Sequence, residues 1–105
     1  MSPEQVAHIV AAIDDLALLT DITGEDLGPD FVAWFNAEAE WVTAEMAAGM
    51  VGDPAIATYI AAVGSGHQKV IDGSYVMPSG IYEFGDEVRT IVALRDRIAA
   101  MTDRP

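Results

Sequence analysis

The side chains able to do catalytic or metal chemistry are few. The chain of 105 residues has two histidines, no cysteine, and seventeen acids against five cations. Without cysteine there are no disulfides and no thiolate metal sites. Glu38 and Glu45 stand out among the acids, because both fall within the segment that holds Phe31, Trp34, Phe35 and Trp41. Carboxylates in apolar surroundings are the raw material of general acid–base catalysis and of metal binding. The spacing is wrong for one shared ion, since seven residues of helix separate the two by about 10.5 Å. The Glu-x-x-His signature of di-iron bundles is missing. His8 falls beside Glu4 and Asp15 on the polar side of its helix and reads as solvated. His67 sits in a glycine-rich stretch and belongs to no pattern.

Other motifs fail on context. Gly64-Ser65-Gly66 follows a helix and lacks the Gly-Lys-Ser/Thr of a phosphate loop. Asp21 to Asp26 does not have EF-hand spacing. No serine lies in a nucleophile elbow. Tyr75, Tyr82 and Phe84 could stack on a ligand, although aromatics in short strands mostly pack. The residues predict a non-enzymatic protein with no catalytic residue, no bound metal and no cofactor.

The predicted architecture is a single, mainly α domain over 1–105, with helices at roughly 3–18, 29–48, 54–63 and 86–101. Ser2-Pro3-Glu4-Gln5 carries a capping box, and Val6, Ile9, Val10, Ile13, Leu16 and Ala17 recur at helical spacing behind it. Gly28-Pro29-Asp30 opens the second helix and Gly49 closes it. Asp53-Pro54 opens a third, with Ile56, Tyr59, Ile60 and Val63 facing inward and Gly64-Ser65-Gly66 ending it. A small β-hairpin or strand-like segment is expected at 69–84, because Asp72-Gly73 suits a type I′ turn. Gly85-Asp86 is expected to cap the last helix, whose apolar face is Val88, Ile91, Val92, Ile98 and Ala99.

Two helices place charge on an apolar face. With Phe31 at zero on a helical wheel, Trp41, Trp34, Val42, Phe35 and Met46 span about −80° to +60°, and Glu45 and Glu38 fall at about −40° and −20°. In the last helix, Arg95 falls near −20° from Val88, inside its apolar arc. A buried carboxylate must be paired, protonated or bound. Three readings follow. Arg95 forks onto Glu38 or Glu45 as a buried ion pair; or the face of Phe31, Trp34, Phe35, Glu38, Trp41 and Glu45 meets another chain; or the glutamates bind a metal or do acid–base work.

The charge is lopsided. No lysine or arginine precedes Lys69, while eleven acids do. Such a surface repels nucleic acid and anionic lipid and attracts basic proteins. Seventeen alanines, and four arginines to one lysine, also match a high-GC genome, in which acidic surfaces are common. No stretch reaches the roughly 18 apolar residues of a membrane span, and Met1 to Ala12 lacks the basic start of a secretory signal. The expectation is a soluble cytoplasmic protein.

The leading functional expectation is a non-enzymatic interaction or assembly module that docks onto a protein with a basic surface, or onto itself. It would use the aromatic helix face, an anionic surface of Asp14, Asp15, Asp26, Asp30 and Glu40, or both. One alternative is an acidic DNA mimic of the phage or mobile-element counter-defence type, which occupies the cleft of a nucleic-acid-binding protein without binding nucleic acid itself. Another is a small accessory subunit of an enzyme or virion assembly, adding the 69–84 segment to a neighbour's sheet.

Overall fold

The computed structural model describes residues 2–20, 28–50, 54–72 and 84–103, and within them the protein is mainly helical with no strand. Helix α1 is Pro3–Thr20, α2 is Gly28–Ala47, α3 is Pro54–Asp72, α4 is Gly85–Ala93 and α5 is Arg95–Ala99, followed by a 3-10 turn at Ala100–Asp103. The α1 cap forms as expected: Ser2 N donates to Gln5 Oε1 at 2.8 Å, and Gln5 N donates to Ser2 Oγ at 3.1 Å. Gly49 ends α2 with φ +99, the left-handed conformation that favours glycine. Met50 N closes that end on Glu45 O at 2.8 Å.

The helices enclose one core. α2 packs on α3, α3 on α4, and α1 closes the circuit against α2, α4 and α5. The anticipated faces of α1 and α3 are the buried ones, with Val6, Ile9, Ile13 and Leu16 on the first and Ile56, Tyr59 and Val63 on the second. At the centre, Phe35 stacks on Phe84 at 5.0 Å between ring centroids, and Phe31 lies 6.1 Å from Phe84.

Three sequence expectations are corrected. First, α3 does not stop at residue 63 but continues through Gly64-Ser65-Gly66 to Asp72. Gly66 is a contact glycine rather than a breaker. A Cβ there would lie 2.6 Å from Phe35 Cζ and closer still to Cδ1 and Cε1. Glycine's intrinsic cost in a helix, about 1 kcal/mol against alanine, is offset by letting the Phe35 ring rest on the α3 backbone. Second, Lys69 to Asp72, expected to begin the hairpin, are therefore helical. Residues 73–83, the rest of that segment up to Phe84, lie outside the described residues. Phe84, expected to end a strand, is the buried N-cap residue of α4, and no side chain caps that helix end. Third, the last helix is broken at Leu94, whose N–H bonds to Ile91 O at 3.1 Å, three residues back.

Candidate functional site

Glu38 is the organising residue, buried to 5% exposure where three helices meet. Tyr59 of α3 donates its hydroxyl to Glu38 Oε2 at 2.6 Å. His8 Nε2 of α1 lies 2.6 Å from Glu38 Oε1. An ionised carboxylate only accepts, so His8 donates through Nε2, and in the neutral ring Nδ1 is left as an acceptor. The imidazole lies flat on Trp41, with centroids 3.7 Å apart and planes within 9°. Burial, then the charge and hydrogen bond of Glu38, push the Tyr59 hydroxyl far above its usual range, so it remains a protonated donor. Among the described residues no buried side-chain polar atom lacks a partner.

The local sequence explains how these groups meet. α1 and α2 run antiparallel, tied at successive levels. Gln5 Nε2 donates to Glu45 Oε2 at 3.1 Å, His8 meets Glu38, and Trp34 Nε1 donates to Ala12 O at 2.9 Å. Small side chains at Ala11, Ala12 and Ala37 leave a pocket of about 310 Å³ between the two helices, lined also by His8, Asp15, Trp34 and Glu38. Phe31 and Phe35 are buried in the chain's own core, Trp34 and Trp41 are half-buried at its edge, and Met46 is exposed.

The buried carboxylate foreseen at Glu38 is present, but its partner is not Arg95. Arg95 instead forks onto exposed Asp14, with Nε to Oδ1 at 3.0 Å and Nη2 to Oδ2 at 3.3 Å, and it also touches Asp96. The Arg95 hydrogen bond holds the Asp14 carboxyl below the usual carboxylate range, and the same pairing raises the guanidinium's own pKa. The break at Leu94 puts Arg95 at the start of a new helix, and its long stem carries the charge to solvent. Glu45 is half-buried and is held by Gln5, a neutral donor. His8, read as solvated, is half-buried and engaged. His67 lies on α3 rather than in a loop.

A second buried carboxylate went unseen in the sequence. Glu87 accepts from Ser65 Oγ at 2.8 Å and from Lys69 Nζ at 3.1 Å. It borders the apolar arc of α4 next to Val88, and that position was its only signal. Ser65 and Lys69, one turn apart, reach it because α3 continues past residue 63.

Chemically, the Glu38–His8 pair resembles the orienting half of a hydrolytic triad, but among the described residues His8 meets Glu38 and Trp41 and no nucleophile. No group of three or more metal-ligating side chains occurs among the described residues. Asp15, Asp30 and Glu40 are exposed, as is Glu4, and none of them forms an ion pair among the described residues. Asp14 is occupied by Arg95, and Asp26 lies outside the described residues. No described helix is long and apolar enough to cross a membrane. Comparison with known proteins returns no matching family model, no similar curated protein and no similar solved structure.

Proposed function

We propose that the protein is a non-enzymatic docking module that meets a basic protein with the outer acidic surface of α1 and α2. One observation carries this reading. Three of the chain's cations answer its own acids: Lys69 binds Glu87, Arg89 binds Asp86, and Arg95 binds Asp14 on α1 and its neighbour Asp96, while Arg97 is exposed with no ion pair among the described residues. Glu4, Asp15, Asp30 and Glu40 remain exposed on two helices that contain no lysine or arginine. Uncompensated surface charge of one sign steers a partner of the other sign and speeds encounter. A second copy presents the same charge, which favours a basic partner over self-association. With Phe31 and Phe35 in the core, the edges of Trp34 and Trp41 and the exposed Met46 are what α2 leaves to join such a contact.

A DNA mimic would use the same acids and differ only in the partner's identity. The accessory-subunit reading loses its first strand, since Lys69 to Asp72 are helical.

The test is affinity capture with the wild-type chain and with a Glu4→Gln/Asp15→Asn/Asp30→Asn/Glu40→Gln variant, both checked for helical content. Wild type is expected to retain a basic protein that washes off near 0.3 M salt, where screening is strong, and the variant is expected to lose it. Retention of the same protein by both, at any salt, refutes the reading. A captured nuclease, repressor or polymerase whose DNA binding is blocked selects the mimic.

A further inference from the structure

The pocket between α1 and α2 has the chemistry of a receptor for one cationic side chain. Its floor is methyl groups, from Ala11, Ala12 and Ala37. One wall is Trp34, whose ring is fixed because Nε1 is tied to Ala12 O at 2.9 Å. The inner end carries the buried Glu38 charge and the His8 ring, and Asp15 stands exposed at the rim. No lysine or arginine lines it. An apolar floor suits an alkyl stem. An indole wall together with carboxylates suits a planar, weakly hydrated cation more than a compact ammonium. The chain itself shows how an α1 carboxylate receives such a group. Asp14 takes the Arg95 guanidinium in a fork at 3.0 and 3.3 Å. Asp15, the next residue and about 100° further round the helix, faces the pocket and has no such partner among the described residues.

We propose that this pocket receives an arginine side chain of the basic partner, its stem on the alanine floor and its guanidinium between Trp34 and the Asp15 carboxylate. The inference rests on the docking reading above and names the contact at its centre. Buried charge at Glu38 reinforces the attraction through low-dielectric surroundings, and its two oxygens stay with Tyr59 and His8. Arginine at aromatic-lined positions is a frequent anchor of protein interfaces.

The test is an NMR titration of the ¹⁵N-labelled chain with acetyl-Gly-Arg-Gly-amide, and with the analogues that carry lysine or uncharged citrulline. The arginine peptide is expected to shift the Trp34 indole N–H and the amides around Asp15 and Ala37 saturably. The lysine peptide should bind more weakly and the citrulline peptide should not bind. Asp15→Asn should weaken binding up to about fivefold, the range of an exposed charge pair. Ala37→Leu, at an exposed helical position, fills the pocket and should abolish the shifts. Asp30→Asn should leave them unchanged. Equal binding of the citrulline or lysine peptide, wild-type titration by Ala37→Leu, or no shift up to about 50 mM peptide overturns the proposal. Capture experiments separate the two ideas. If Ala37→Leu still retains the basic partner while the four-acid variant loses it, the docking surface stands and the pocket falls. If the peptide fills the pocket but capture is unaffected by the four substitutions, the pocket stands and the docking surface falls.

Discussion

Replacing Tyr59 by phenylalanine removes one hydroxyl from the core and keeps the ring. The lost bond is the 2.6 Å donation to Glu38 Oε2. Hydrogen bonds to a charged group contribute about 1.5–3 kcal/mol, and Glu38, at 5% exposure, has little access to replacement water. A loss of about 2 kcal/mol is expected, or a fall in Tm of roughly 8–16 °C for a domain of this size. Chemical denaturation followed by circular dichroism measures it. In a Glu38→Gln background the same substitution should cost only about 0.5–1.5 kcal/mol, because the bond is then neutral, leaving a coupling near 1 kcal/mol in the double-mutant cycle. Alkaline pH provides an independent check. Tyr59's folded pKa is raised, so its contribution is intact below about pH 10, the unfolded value. Above that the unfolded chain releases the proton and the folded chain keeps it, and stability falls by up to about 1.4 kcal/mol per pH unit. Tyr59→Phe should remove that component of the slope. A variant within about 0.5 kcal/mol of wild type, with an unchanged alkaline limb, refutes the assignment of Tyr59 as the donor that supports Glu38.

Two glycines on one helix should respond with opposite signs. Gly66→Ala drives a methyl into the Phe35 ring and should cost about 1–3 kcal/mol by overpacking, whereas Gly64→Ala meets nothing within 4 Å and should stabilise by about 0.5–1 kcal/mol; urea midpoints report both. Asp14 has a depressed folded pKa, so its contribution is present above its unfolded value near pH 4 and is lost as pH falls through the folded value. Asp14→Asn should flatten that acid limb, and 1 M salt should shrink the difference because the pair is exposed. Lys69→Met leaves Glu87 with Ser65 alone and should cost about 1–2 kcal/mol, discounted because the lysine side chain is 32% exposed; adding Glu87→Leu should recover most of the loss in thermal melts, because no buried charge is then stranded.

Most of the scaffold is legible from local chemistry. The Ser2–Gln5 box, the Gly49 terminus and the apolar stripes of α1 and α3 depend on neighbours in sequence, and periodicity registers them. Gly66 does not, because its reason is the Phe35 ring on another helix, and glycine's local meaning is interruption. Glu38 was visible as a charge among aromatics, but a guanidinium was the wrong partner to expect. A tyrosine hydroxyl and an imidazole hold the carboxylate instead. His8 was misplaced because a wheel divides a helix into one wet and one dry side. α1 packs against α2, α4 and α5, so its covered arc is wider than its apolar stripe. Arg95 was misplaced by carrying one helical phase across the break at Leu94.

The Glu38 clasp joins positions 30 and 21 residues apart in sequence. Its carboxylate is fully enclosed only when α1 and α3 have both packed on α2, so we predict that the clasp forms after the rate-limiting step of assembly. Interactions that form that late leave the folding rate alone and raise the barrier to escape. Weakening the clasp should therefore shorten the lifetime of the native state while stopped-flow refolding proceeds at its original speed.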